Sequence, residues 1–173
     1  MITCVTAPSR SGTSLTMQML VAAGYPIAWN CLPNRSQWNE RGFYEFDWNR
    51  GDLIECEDKA VKVMPFDLYR LTSDHTYRFI TILRDVASVE ASMAHTVAWR
   101  GAEMTDAHKA HDWQQFTLGY VSNHEHIVVK FDDLFDGTGP NAICSFMGFD
   151  ALQIAKMNDC VDVSMRHFRP EAQ

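Results

Sequence analysis

Residues 2–14, I-T-C-V-T-A-P-S-R-S-G-T-S, decide the fold class that the sequence predicts. Their first half, residues 2–7, is short, apolar and β-branched, which is typical of a buried strand. Residues 13–23 follow and are apolar on nearly every side, which indicates a helix packed against a sheet and ended by Gly24. A tight turn around Gly12 therefore joins a buried strand directly to a buried helix.

Outward from this unit, the chain alternates between strand-like and helix-like segments. Further strands are predicted at residues 60–64, 78–83 and 126–131, and further helices at residues 86–98, 104–122, 140–147 and 151–158. Residues 25–52 form a long irregular segment rich in Asn, Pro, Gly, Arg and Trp, and such loops are often functional. The alternation predicts one α/β domain over residues 1–173, with a central, mostly parallel sheet flanked by helices.

The sequence predicts which face of one helix is buried and where another helix begins and ends. Within residues 104–122, four positions at helical spacing are expected to face the core: Ala110, Trp113, Phe116 or Thr117, and Tyr120. Pro140 is expected in the first turn of its helix, where a missing N–H costs least, and Gly148 is expected to end that helix.

Composition narrows the class of protein. The hydrophobic fraction of 46% and the charged fraction of 21% are ordinary for a soluble globular domain. No segment is long and apolar enough to span a bilayer, and the first strand begins at Ile2, which leaves no room for a signal peptide. A net charge of -7 argues against broad binding of nucleic acids or other polyanions and leaves room for a local basic pocket. The five scattered cysteines lack C-x-x-C spacing, which favours reduced thiols in a cytoplasmic compartment over a zinc site.

The turn between the first strand and helix suits an anion. A strand that enters a helix through a glycine turn leaves backbone N–H groups unpaired, and the helix dipole adds positive partial charge there. Ser11, Thr13 and Ser14 add hydroxyl donors, and Arg10 adds a full charge. The simpler interpretation is an ordinary strand–turn–helix, or a vestigial nucleotide loop, with Arg10 solvated.

The turn differs from a P-loop of the form G-x-x-x-x-G-K-[ST] in one respect that matters. Ala7 replaces the first glycine and Thr13 replaces the lysine, while Gly12 is retained. The cation has moved to Arg10, two residues before the glycine and on the other side of the loop. With the alternation of strands and helices, this predicts a three-layer, P-loop-like fold.

Residues 9–15, S-R-S-G-T-S-L, resemble the 5′-phosphosulfate loop of sulfotransferases that use 3′-phosphoadenosine 5′-phosphosulfate (PAPS). In that loop a basic residue precedes Ser-Gly-Thr-[Ser/Thr]. Residues 79–93, F-I-T-I-L-R-D-V-A-S-V-E-A-S-M, resemble the 3′-phosphate motif of the same family, with Arg84 at a strand end and Ser92 eight residues later. Open α/β sheets bind ligands at this edge, and a guanidinium grips phosphate bidentately.

Two later segments agree with the resemblance. Residues 126–149 resemble the family's late strand, acidic turn and helix ending in Phe-x-Gly, with Asp132 and Asp133 as turn or cap residues. Residues 161–170, V-D-V-S-M-R-H-F-R-P, resemble the tail that closes over the nucleotide, although a solvated basic tail explains them equally well. The tail residues expected to meet the 3′-phosphate or the adenine are Arg166, His167 and Arg169.

The chain also departs from the family pattern. Val86 lies where a proline often follows the arginine, and the Gly-rich, Lys-containing loop of the cytosolic animal enzymes has no counterpart. A short bacterial- or phage-like member therefore fits best.

The resemblance implies transfer of a sulfonyl group from PAPS, the co-substrate, to an acceptor hydroxyl or amine without a metal. The residues expected to bind PAPS are Arg10, Ser11, Gly12, Thr13 and Ser14 at the 5′ side and Arg84, Ser92 and Arg166 at the 3′ side. Arg10 is also expected to stabilise charge in the transition state.

A general base is also expected, and residues 39–46, N-E-R-G-F-Y-E-F, resemble a G-[FY]-[FYW]-E element near the acceptor. Glu45 is the predicted base, with Phe43 and Tyr44 excluding water and raising its pKa. His95 is the alternative base. Lys62 is expected either to contact the sulfonate or to pair with an acid.

The remaining aromatic and histidine residues leave alternatives open. Trp38 and Trp48 flank residues 39–45 and are suspected of lining an acceptor pocket. The pairs His108/His111 and His124/His126 are more easily explained as solvated than as metal ligands. The acceptor is a small molecule, glycan, lipid hydroxyl or peptide tyrosine, and the competing functions are a P-loop kinase or NTPase and a non-catalytic nucleotide-binding module.

Overall fold

The computed structural model describes residues 1–31, 39, 41–100 and 109–161. At its centre lie five strands: β1 Ile2–Thr6, β2 Ile27–Ala28, β3 Ala60–Val63, β4 Tyr77–Leu83 and β5 Glu125–Lys130. They form one sheet in the order β2-β3-β1-β4-β5, and every neighbouring pair is parallel. The predicted α/β fold with a parallel central sheet is confirmed. The two-residue β2, inside the segment predicted as irregular, was missed.

Helices cover both faces of the sheet. The five α-helices are α1 Thr13–Ala22, α2 Val86–Arg100, α3 Ala110–Val121, α4 Thr138–Met147 and α5 Ala151–Asp159. Helices α1, α4 and α5 share one core cluster with the sheet, and α3 shares a second with two 3-10 helices, Leu53–Cys56 and Pro65–Arg70. A small third cluster joins α2 to the start of α3. None of the helices in the described ranges has the length and apolar character needed to cross a membrane.

Strand β1 lies at the centre because its side chains are buried on both faces of the sheet. All five of its residues are fully inaccessible to solvent. Ile2 and Cys4 belong to the cluster on the α3 side, whereas Val5 belongs to the cluster on the α1 side. The same alternation operates on β3, where Ala60 faces α1, so that Lys62 two residues later faces α1 as well.

Glycines end the helices where the sequence indicated. Gly24 has a left-handed backbone (φ +80°) two residues after α1, and its N–H bonds to the carbonyl of Val21 at 2.9 Å. Gly148, also left-handed (φ +72°), ends α4 as predicted. Pro140 lies in the first turn of α4 as predicted, although the helix starts earlier, at Thr138.

The predicted inner face of α3 is confirmed at Ala110 and Thr117 and wrong at Trp113 and Tyr120. The buried residues are Ala110, Gln114, Thr117 and Val121. Phe116 is 48% exposed, and Trp113 and Tyr120 lie at the border of the helix's buried face. Polar residues occupy the inner face because the Gln114 amide donates to the carbonyl of Arg84 at 3.0 Å, a contact that apolar periodicity does not reveal.

Candidate functional site

The predicted motif residues gather at the carboxyl edge of the sheet. Thr6, the last residue of β1, is level with Val63 on β3 and with Thr81 on β4. The loop after β1, the segment after β3 and Arg84 after β4 therefore leave the sheet side by side. This edge is where ligands bind in open α/β sheets.

The loop before α1 has an unusual backbone. Arg10 (φ +69°) and Gly12 (φ +97°) are both left-handed, and such a conformation costs energy for a residue with a side chain. Ser11 between them is 1% exposed, and its hydroxyl has no hydrogen-bond partner within the described residues. Left-handed turns ahead of a helix direct N–H groups into a common concavity that suits an anion.

A glycine is required at position 12 for a steric reason as well. A Cβ atom there would lie 2.8 Å from Cδ2 of Phe131, the residue that follows β5. We expect Gly12→Ala to lower the free energy of unfolding by about 3 kcal/mol, from left-handed strain plus overpacking. Gly24→Ala is the matched control, because Gly24 is also left-handed but has nothing within 4 Å of such a Cβ.

Urea unfolding of both variants separates these two causes. The control is expected to lose only about 1 kcal/mol, from backbone strain alone. Equal losses in the two variants would show that contact with Phe131 does not constrain the loop.

Arg84 lies against this loop. Its Nη1 donates to the carbonyl oxygen of Arg10, and its guanidinium carbon lies 4.0 Å from the centre of the Phe131 ring. Arg84 is 8% exposed, and burial lowers its pKa, as does, to a lesser degree, the nearby charge of Arg10. The strand-end arginine and the loop around Gly12, 72 positions apart in the sequence, are thus in direct contact.

Arg10 and Ser92 are bonded to each other. Nε of Arg10 donates to Oγ of Ser92 at 3.1 Å, and Ser92 is 1% exposed on α2. The sequence assigned Arg10 to one end of a nucleotide and Ser92 to the other. In the structure the two groups are adjacent, so Arg10, whose backbone belongs to the predicted 5′ loop, links that loop to the predicted 3′ side.

Lys62, on the neighbouring strand β3, brings a third positive charge to the loop. Its Nζ donates to Oγ of Ser14 at 2.9 Å, to Oε1 of Glu45 at 2.7 Å and to the carbonyl oxygen of Phe43. Three acceptors thus match the three N–H donors of the ammonium group. Lys62 is 2% exposed; burial lowers its pKa, and the Glu45 carboxylate opposes that shift.

Glu45 keeps contact with water, contrary to the expectation that Phe43 and Tyr44 would exclude it. Its side chain is 44% exposed beside the buried end of Lys62. Tyr44 has a left-handed backbone (φ +54°), and its ring packs edge-on against Trp29 with the ring centres 6.5 Å apart. The aromatic ring is therefore used in packing elsewhere and does not cover the carboxylate.

Sequence reasoning missed three contributors to this edge. Thr6 and Thr81 are buried, level with each other, and neither hydroxyl has a hydrogen-bond partner among the described residues. An unpartnered buried hydroxyl costs about 1–3 kcal/mol, so both are candidates to meet a ligand or a bound water. Phe131, which touches both Gly12 and Arg84, is the third.

Some of the other residues singled out in the sequence fall outside the described part of the chain. Trp38, His108, Arg166, His167 and Arg169 lie outside the described residues, as does the side chain of His95. His124 packs among aromatic rings, stacked on Tyr120 with the ring centres 5.4 Å apart. Within the described part of the chain, no group of three or more His, Cys, Asp or Glu side chains is placed to hold a metal ion, and all five cysteines are free.

No protein-family model matches the chain, and no curated protein matches its sequence.

Proposed function

We propose that this protein is a PAPS-dependent sulfotransferase with a P-loop-like fold. The observation that carries the proposal is the contact between Arg84 at the end of β4 and the loop at the N-terminus of α1. It brings two guanidinium groups, Arg10 and Arg84, to one edge of a protein whose net charge is -7. Such a local concentration of positive charge supports a small ligand with more than one anionic group.

Electrostatics favours a ligand that lies between these cations. Burial is the main cause that lowers the pKa of Arg84, and the charge of Arg10 lowers it further, which means that the two guanidinium groups repel each other; Asp132 and Asp85 act in the opposite direction. An anion between them would remove that repulsion and form charge-assisted hydrogen bonds. PAPS and its product 3′,5′-ADP carry phosphates at two positions of one ribose and would use Arg84 with Ser92 and the Gly12 loop together.

The proposed reaction is an in-line displacement at sulfur. An acceptor oxygen attacks the sulfur of PAPS, the bond from sulfur to the bridging 5′-phosphate oxygen breaks, and 3′,5′-ADP leaves with that electron pair. The acceptor proton passes to the Glu45 carboxylate, and the product is a sulfate ester. Arg10 and the loop N–H groups stabilise the leaving phosphate. The positive charge of Lys62, whose three donors are held by protein acceptors, stabilises the sulfonate oxygens electrostatically without a direct hydrogen bond.

Titration calorimetry with 3′,5′-ADP tests the proposal directly. We expect saturable binding that does not require magnesium, by a sample whose folding is verified by circular dichroism. Absence of binding at millimolar nucleotide would refute it. Magnesium-dependent ATP turnover would instead identify a kinase or NTPase, and tight 3′,5′-ADP binding with no transfer to a broad acceptor panel would identify a non-catalytic module.

Arg10→Ala is expected to reduce turnover more than nucleotide affinity. The Arg10 charge serves the leaving phosphate, so we expect kcat to fall by about 100-fold and the Kd for 3′,5′-ADP to rise by less than about tenfold. Lys156→Ala, an exposed site on α5, is the control. An unchanged kcat in Arg10→Ala would remove Arg10 from the mechanism.

A further inference from the structure

A buried glutamine lies in the middle of helix α1, whose other buried residues are apolar or threonine. Gln18 is 4% exposed. Its Nε2 donates to Oδ1 of Asn39 at 3.0 Å and to the carbonyl oxygen of Gly42 at 2.9 Å, so both N–H donors of the amide are used. Both acceptors precede Glu45 by a few residues. Gln18 therefore attaches the chain that leads to Glu45 to the helix that begins after the Gly12 loop.

Asn39 and Gly42 are also bonded to each other. Asn39 is 7% exposed, its Nδ2 donates to the Gly42 carbonyl at 2.8 Å, and the Gly42 N–H donates to its Oδ1 at 3.1 Å. Gly42 has a left-handed backbone (φ +106°), which glycine adopts without a steric penalty. Buried hydrogen bonds of this kind make the backbone that they join rigid. Gly42 is thus fixed in place three residues before Glu45.

The same side of α1 also holds the other end of this stretch. Ser14 lies one helical turn before Gln18, so the two side chains project from one side of the helix. Oγ of Ser14 accepts a hydrogen bond from Lys62, which also donates to Oε1 of Glu45. Two attachments, one through Gln18 and one through Lys62, therefore hold the chain from Gly42 to Glu45 against α1.

Stability alone does not explain a glutamine at position 18. Its Oε1 is buried and has no hydrogen-bond partner among the described residues. A buried acceptor without a partner is costly, whereas an apolar side chain of similar size avoids that cost. The two donors of Gln18 therefore have to serve something other than the free energy of unfolding.

We propose that Gln18 is a positioning residue for Glu45. By fixing Gly42 against α1, it sets the distance from the Glu45 carboxylate to the Gly12 loop. The inference rests on the proposed function and adds to it a residue that acts through Glu45 rather than on the substrate. The proposed base and the loop that holds the leaving phosphate then refer to one rigid element, helix α1. Such alignment matters because a displacement of about 1 Å can lower a rate by about 100-fold.

Gln18→Met tests the inference, because methionine has similar volume and lacks both donors. The reaction followed is release of sulfate from PAPS with water as the acceptor. Water attacks sulfur, the bond to the bridging 5′-phosphate oxygen breaks, 3′,5′-ADP leaves with the electron pair, and Glu45 takes one water proton. We expect kcat to fall about tenfold, the Kd for 3′,5′-ADP to change by less than about twofold, and the urea midpoint to stay close to that of the parent.

Gln153→Met is the matched control. Gln153 on α5 also donates its amide to the α1 region, to the carbonyl of Ala23 at 3.1 Å, but it makes no contact with the chain from Gly42 to Glu45 among the bonds of the described residues. Its loss should leave kcat unchanged. Asn39→Ala breaks the Gln18 network from the other side and should reproduce the tenfold loss, so it replaces Gln18→Met if that variant does not fold.

A double-mutant cycle distinguishes positioning from a general loss of structure. In a Glu45→Gln background no carboxylate remains to be positioned, so adding Gln18→Met should lower kcat by less than about twofold. An unchanged kcat in both Gln18→Met and Asn39→Ala, or a tenfold loss that persists in the Glu45→Gln background, would overturn the inference and leave the proposed function standing.

Nucleotide binding by the parent protein is measured on the same samples. A parent that binds 3′,5′-ADP but releases no sulfate rejects the positioning role and identifies a non-catalytic module. Absent 3′,5′-ADP binding rejects the proposed function, and the role of Gln18 with it.

Discussion

Arg84→Ala is expected to weaken binding of 3′,5′-ADP by about 30-fold or more while changing the Kd for 5′-AMP by less than about threefold. The two nucleotides differ in the 3′-phosphate, and Arg84 with Ser92 is the group proposed to hold it. The guanidinium is only 8% exposed, so a phosphate bond made there is poorly screened by water. Titration calorimetry measures the Kd for each nucleotide, and the ratio of the two Kd values gives the selectivity for the 3′-phosphate.

Arg84 also makes a structural contact, and the experiment must distinguish the loss of that contact from the loss of phosphate binding. Arg84 holds the carbonyl of Arg10, so its loss could loosen the whole loop and weaken both nucleotides. Arg78→Ala is a matched control on the same strand, because Arg78 bonds Thr3 and Tyr25 far from the carboxyl edge. Equal losses for 3′,5′-ADP and 5′-AMP in Arg84→Ala would mean that Arg84 only supports the loop.

Lys62→Met is expected to abolish most sulfonyl transfer, by about 100-fold or more, while the free energy of unfolding stays within about 1 kcal/mol of the parent. Methionine fills similar volume and removes a charge whose burial is costly. Its partner Glu45 is 44% exposed and stays hydrated when the lysine is lost. This variant should therefore lose activity without losing stability. A single-turnover assay measures the activity, and urea unfolding measures the stability.

The pH dependence of Lys62 gives an independent readout. Burial lowers the pKa of Lys62 below its ordinary 10.5, so the charged form is lost earlier in the folded state than in the unfolded state as pH rises. At pH values between the folded and unfolded pKa of Lys62, the unfolded chain binds more protons than the folded chain. The contribution of Lys62 to the free energy of unfolding therefore rises with pH, while the rate of sulfonyl transfer falls. Lys62→Arg should keep its charge and extend the alkaline limb of kcat/KM upward. Full turnover in Lys62→Met would show that Lys62 only supports Glu45 and Ser14.

Local patterns in the sequence determined the elements of this fold. The β-branched run from Ile2, the turn at Gly12 and the helix-ending Gly148 each act over a few residues, and each was found where predicted. Because parallel strands present their carboxyl ends together, the strand-end position of Arg84 predicted that it lies at the same sheet edge as the Gly12 loop, whereas their direct contact depends on β4 lying next to β1.

Only the tertiary structure decided which side chains complete the site. Lys62 is 48 positions from Ser14, and its partner depends on β3 lying next to β1. Phe131 reaches Gly12 only because β5 lies next to β4, and Gln114 turns inward because the carbonyl of Arg84 needs a donor. Helix and strand periodicity and the choice of turn residues depend on neighbours in the chain, so the sequence reveals them. The contacts of Lys62, Phe131 and Gln114 depend instead on strand order. Strand order brings together residues distant in sequence, and it follows from the packing of the whole domain.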